Sequence, residues 1–150
     1  MKALVLYHSQ EHLNTEAMAK AVAEGLKAEG AAVTLHNTDK GRFDAASLAQ
    51  YQCAAFGSPD YYSYIAGGLK VFLDDWHIAA EQKKVKGLKD KPYALFYSHG
   101  GGGKVKGPME ALFKHVGRQI GQSVESLGAP SEAVLEKCRA LGRELAKATK

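Results

Sequence analysis

Between the apolar run Ala3–Tyr7 and an amphipathic stretch from Glu16 to Leu26 stand eight residues, His8 and then a mostly polar loop of Ser9, Gln10, Glu11, His12, Leu13, Asn14 and Thr15. A buried strand, a short polar loop and a helix start in that order converge backbone N–H groups on one point. That point suits an anion, most often a phosphate. Two further polar clusters follow apolar runs. Pro59, Asp60, Tyr61, Tyr62, Ser63 and Tyr64 follow Gln52–Ser58. Ser98, His99 and the four glycines Gly100, Gly101, Gly102 and Gly103 follow Pro92–Tyr97. The tyrosines can stack on a flat π-system, or can pack on the core or on a neighbouring subunit. The glycines allow backbone to approach a flat ring and offer it N–H groups, or form a solvent loop. His99 stands beside this site and can hydrogen-bond a ligand, stack on it or face water.

Other chemistries fit less well. The motif G-x-G-x-x-G is absent after the first strand, where it would carry weight. Gly103-Lys104 is followed by Val105, so no phosphate-binding P-loop is present. A phospho-receiver needs acidic residues after strand one and an Asp ending strand three; the residues there are Tyr7-His8-Ser9 and Phe56-Gly57-Ser58. His8 and His12 are four apart across a loop rather than on a helix, which does not make a metal pair. No metal-type Cys/His spacing occurs, and Cys53 and Cys138 read as buried free thiols.

The elements that must position these loops are legible as a repeat of strand and helix. Strands are predicted over 2–7, 32–37, 52–57, 92–98 and 123–127. Met18, Val22 and Leu26 recur at helical spacing, with Asn14 as N-cap and Gly30 as the stop, giving a helix over about 15–28. A short helix is expected over 44–50. Leu69, Phe72, Leu73 and Trp76 share one helical face. Met109, Leu112, Phe113, Val116 and Ile120 make a further amphipathic helix opened by Pro108, and Ser131 caps the last one. Continuously apolar strands alternating with helices indicate an α/β fold, a parallel sheet covered on both faces. With strand order 2-1-3-4-5, the loops after strands one, three and four lie at the carboxyl end of the sheet, around the point where strand order reverses.

The 150 residues suit one domain, 1–150, with 45% apolar and 24% charged residues, the balance of a globular chain. No apolar run reaches membrane-spanning length and no cleavable leader is visible, so a cytoplasmic protein without a membrane partner is expected. The net charge is +4. Lys83, Lys84, Lys86, Lys89 and Lys91 crowd one segment without interleaved aromatics, which favours a solvated connection over a nucleic-acid surface.

The chain resembles the flavodoxin-like family over nearly its whole length. The resemblance is carried by Leu4–Tyr7 with Ser9, Asn14-Thr15-Glu16 and Met18-Ala19, by Phe56-Gly57-Ser58-Pro59, by Gly68-Leu69-Lys70 with Phe72-Leu73-Asp74, and by the glycine loop after Tyr97-Ser98. It implies a flavodoxin-like three-layer α/β/α fold with a five-stranded parallel sheet, and FMN as cofactor. Ser9 and Thr15 would donate to the phosphate, and Asn14 and the N–H groups of 10–15 would complete its cradle. Pro59 to Ser63 would cover one side of the isoalloxazine ring, with Asp60 or a backbone group near its reactive N5. Ser98 to Gly103 would meet its pyrimidine edge. The implied functions are flavodoxin-type electron transfer or an NAD(P)H:quinone or flavin oxidoreductase. The partners are then a redox protein or a small quinone and NAD(P)H, and a homodimer in the second case. A flavin-free interaction domain is the alternative of another class. The family's usual phosphate loop reads S/T-x-T-G-x-T; here the stretch Ser9–Thr15 is one residue longer, lacks the glycine and carries Glu11, which must point outward if a phosphate binds.

Overall fold

The computed structural model describes all 150 residues. Its strands are β1 (Lys2–Tyr7), β2 (Ala32–Asn37), β3 (Cys53–Pro59), β4 (Lys91–His99), β5 (Gly117–Gln119) and β6 (Val124–Leu127). Its helices are α1 (Asn14–Ala28), α2 (Gly67–His77), α3 (Lys106–Phe113) and α4 (Glu132–Thr149). A 3-10 turn over Ala45–Gln50 and a π-turn over Ile78–Gln82 complete the chain. All pairings within the sheet are parallel, in the order β2-β1-β3-β4-β5, with β6 also beside β4.

The inner strands β1, β3 and β4 are buried on both faces because each alternates between two cores. Leu4, Leu6, Phe56, Tyr93, Leu95 and Tyr97 face a layer made by α2, α3 and the 3-10 turn. Val5, Tyr7, Ala55, Ala94 and Phe96 face α1 and α4. Phe56 stacks on Phe113 at a centroid distance of 4.4 Å, which ties β3 to α3. Both cysteines are free and buried in the second core. No helix is long and apolar enough to cross a membrane.

The structure corrects the sequence reading at three places. The amphipathic pattern from Met109 to Ile120 is not one helix: α3 ends at Phe113, and Gly117–Gln119 forms β5. The fifth position of the sheet is therefore shared. β5 pairs with Lys91–Tyr93, and β6, the strand expected at 123–127, pairs with Phe96–His99. The sheet has six strands rather than five. Asn14 does not cap α1. Leu13 holds that position in a left-handed conformation (φ 58°, ψ 25°) with no side-chain cap of its own. The longer loop turns twice through positive φ, at Glu11 (49°) and Leu13, and Ser9 Oγ accepts the Glu16 N–H (3.1 Å) in place of a cap.

Elsewhere the local signals hold. Gly30 (φ 89°) closes α1: its N–H donates to Lys27 O, and the Ala31 N–H donates to Leu26 O, the Schellman arrangement. Ser131 Oγ accepts from the Val134 N–H (3.2 Å) at the start of α4. In the Lys-rich connection, Lys83, Lys84, Lys86 and Lys89 are exposed, and Lys89 pairs with Glu81 at 2.9 Å.

Candidate functional site

The first loop leaves β1 with its backbone already fixed. Asn37, the last residue of β2, accepts the Ser9 N–H (3.0 Å) and donates to Ser9 O (2.8 Å); its Oδ1 also accepts the Asp39 N–H (3.0 Å). His8 is held from both sides, by Thr38 Oγ1 at 2.9 Å and Gln10 Oε1 at 2.6 Å. An amide oxygen only accepts, so Nε2 carries the proton and Nδ1 accepts from Thr38. Gly68 makes this possible: a Cβ there would lie 2.5 Å from Thr38 Oγ1. The start of α2 is thus pressed onto the loop that follows β2.

Beyond Ser9 the loop spends few hydrogen bonds on itself. The N–H groups of Gln10, Glu11, His12, Asn14 and Thr15 donate to no protein acceptor. They lie at the N-terminus of a four-turn helix, where the dipole adds positive potential. Thr15 is buried, and its hydroxyl shares one hydrogen bond with Ser98 Oγ (2.8 Å). One hydrogen of that pair is spent between them, and the other remains free for a ligand. Ser9 Oγ accepts from Glu16, and its own hydrogen is likewise free.

The second loop is a tight two-residue turn. The Tyr61 N–H donates to Tyr64 O (3.0 Å), the Tyr64 N–H to Tyr61 O (3.1 Å), and Tyr62 and Ser63 both have positive φ (55° and 63°). Two non-glycine residues in that conformation need a reason to stay. Asp60 supplies one. Its Oδ1 accepts the Ser63 N–H (2.8 Å), and its Oδ2 accepts the Val105 N–H (3.2 Å) just before α3. Its own N–H donates to Ser98 O (2.9 Å). Asp60 thus ties the second loop to the third. Ser58 Oγ, accepting the Ala66 N–H (3.0 Å), closes the loop onto α2.

The third loop, residues 100–104, also leaves its N–H groups unpaired. Beneath it, Tyr97 donates to Glu125 Oε2 (2.8 Å). Burial, and then that carboxylate, push the Tyr97 phenol well above its ordinary pKa. Tyr7, bonded to Glu16, is raised by the same two causes.

These loops enclose one cavity of about 390 Å³. Its walls are the whole of Ser9–Thr15, then Pro59, Asp60 and Tyr61, then Ser98, His99 and Gly100, with Gly128. A second cavity adjoins it, sharing Asp60 and Gly100 and adding Ser63, Gly101, Gly102 and Lys104. Of the residues singled out from sequence, Tyr62, Tyr64 and Gly103 line neither. Tyr62 is fully exposed at the turn's tip, and Gly103 is buried against Glu125 and His99. Glu11 is exposed at the rim, near enough to Tyr61 to add to the effect of burial in raising its phenol pKa. Two residues were missed. Asn37 carries no motif, but an Asn that ends a strand bordering the site is a readable signal. Gly128 follows β6, so it lies at the same end of the sheet as the other loops.

The comparisons agree with this fold. Residues 5–142 match the family described as Flavodoxin. Over 97% of its length the chain is 29% identical to coenzyme F420H2 oxidase of Methanothermobacter thermautotrophicus, and it covers 35% of that protein. The matches span under half the length of the curated relatives. A solved flavodoxin from the domain Archaea superposes with a TM-score of 0.82 at 23% identity, covering 99% of both chains. Rubredoxin oxygen:oxidoreductase of Desulfovibrio gigas gives 0.80 at 20% identity, over 99% of this chain and 36% of that one. The last two show the fold alone. The family match spans nearly the whole chain, and by it this protein belongs to the flavodoxin family.

Proposed function

We propose that the cavity binds FMN and that the chain is an electron-transfer flavoprotein. The observation that carries this is the row of unpaired N–H groups at residues 10–12, 14 and 15, in one cavity with the tyrosine and glycine loops. A phosphate fits such a row. No lysine or arginine lines that cavity, so backbone and hydroxyl donors must hold the anion. Ser9 keeps its hydroxyl hydrogen for it, and the Thr15–Ser98 pair keeps one between them. Glu11 lines the cavity but is exposed at its rim, and would turn outward when the phosphate binds. Tyr61 and Pro59 would cover the ring, while Ser98, His99 and Gly100 would meet its edge. When bound, FMN supplies reversible electron transfer. The protein's part is to fix the ring, keep water from it and present it to a partner.

The adjoining polar cavity favours a second reading, in which a quinone or nicotinamide docks beside the ring and the chain turns over as a reductase. The similarity to an F420H2 oxidase supports a redox role. Because the chain covers 35% of that protein, the oxidase reaction is not carried over with it.

The test compares FMN with riboflavin, followed by quenching of flavin fluorescence. Thr15→Ala is expected to weaken FMN by roughly tenfold or more, the worth of one hydrogen bond to a charged group, and to leave riboflavin little changed. Equal losses for both would contradict the phosphate role. Steady consumption of NAD(P)H with a quinone would favour the reductase reading.

A further inference from the structure

The only buried side-chain nitrogens or oxygens without a hydrogen-bond partner are Nδ1 and Nε2 of His99. The ring is 8% exposed and forms part of the cavity wall. A buried polar group left unpaired is costly, and such groups in native folds call for an explanation. Nε2 lies 3.4 Å from Glu125 Oε2, within ion-pair reach but poorly directed for a hydrogen bond. Glu125 is held there by the Tyr97 hydroxyl. Gly103 closes over both: at φ 62°, a Cβ would stand 3.0 Å from Glu125 Oε2 and 3.2 Å from His99 Nε2. With Nε2 facing the carboxylate, Nδ1 is the nitrogen left for a ligand.

We propose that His99 takes up a proton when the bound flavin is reduced, with Glu125 as its counter-ion. This rests on the flavin reading above. Two electrons add negative charge to a cavity whose charged side chains are Glu11 and Asp60 and which has no fixed cation. Beside the buried ring of His99 that charge is less screened than in bulk water. A proton on a buried imidazole beside a carboxylate is the compensation available within the wall. The other groups around His99 do not replace it. Tyr97 is kept protonated by burial and by Glu125. The oxygens of Asp60 are occupied by two N–H donors. Glu110 of α3 is one of the carboxylates that raise Tyr97, and Lys104 is exposed beside the second cavity. His12 is exposed in the first loop. In balance, two electrons from a two-electron reductant (dithionite in the test) enter with two protons from solvent. One proton goes to the flavin and one to His99.

The test uses FMN-loaded protein labelled with 15N-histidine at about pH 8, above the ordinary imidazole pKa of about 6.5. In the oxidised protein the ring nitrogens of His99 should show the neutral pattern, and after dithionite the protonated one. Once the protons released by oxidation of dithionite to sulfite are subtracted, as measured on free FMN, proton uptake in weak buffer should be two per flavin, falling to about one in His99→Gln. If that variant does not fold, Glu125→Gln keeps the ring but removes the counter-ion, and should leave His99 neutral on reduction. A ring that stays neutral in the reduced wild type overturns the proposal while leaving FMN binding intact. Failure of FMN to bind overturns both.

Discussion

Thr15 and Ser98 join across 83 residues of sequence through one hydroxyl pair, and Asn37 joins Ser9 through two hydrogen bonds across 28. The candidate site is built from such single atoms. Each loop is fixed by a side chain on another segment. Asn37 is the clearest case. In Asn37→Ala the buried Ser9 N–H and C=O and the Asp39 N–H lose their partner, and unpaired buried groups cost about 1–3 kcal/mol each at most. A lower urea midpoint is expected together with weaker FMN binding; unchanged values for both would show that the loop is held otherwise. Cys138 gives a second prediction at this scale. Burial pushes its thiol up to about 12, and burial raises Cys53 as well. The thiolate is the reactive form, so neither cysteine should react with iodoacetamide near neutral pH until the protein is unfolded. Alkylation in the native state would contradict their burial.

Elements show where sequence was legible. β1, β3 and β4 could be read because a strand buried on both faces has few polar residues. β5 could not. Gly117–Gln119 has no apolar pattern, and it pairs through backbone brought close by glycine: a Cβ on Gly117 would lie 2.1 Å from Lys91 O. Met109, Phe113, Val116 and Ile120 keep helical spacing across a helix, a turn and a strand, so periodicity alone misassigned them. The cap of α1 was misread because an Asn before a helix is a strong local signal, and the seven-residue loop overrode it. The loop positions were legible from topology, but the tie from Asp60 to Val105 was not. The packing of α1 on α4 adds a testable point. Gly25 and Gly142 let these helices approach so closely that a Cβ on Gly142 would stand 2.2 Å from Val22 O, and one on Gly25 would stand 2.0 Å from Arg139 O. Gly142→Ala must push the helices apart. Despite alanine's better helix propensity, a loss of about 1–3 kcal/mol is expected in equilibrium unfolding, the usual cost of overpacking. A gain in stability would show that the contact yields easily.

At the scale of the whole molecule, the exposed lysines 83, 84, 86 and 89 and the site's loops belong to different ends of the sheet, because the Lys-rich segment leads into β4 and the site follows it. Added salt should therefore change FMN binding little. Burial also sets the alkaline limit of the fold. Tyr7, Tyr97, Cys53 and Cys138 all have raised pKa values in the folded state. Above the unfolded thiol value of 9.0 the unfolded chain holds fewer protons than the native one, so stability falls as pH rises. The urea midpoint should thus decline from about pH 9 upward through the thiol and phenol range. A midpoint that rose there would contradict the burial of these groups. If the three loops form one FMN site, titrating flavin-free protein with FMN should give saturable quenching of FMN fluorescence at micromolar concentration with one flavin per chain; no binding at tens of micromolar would contradict such a site.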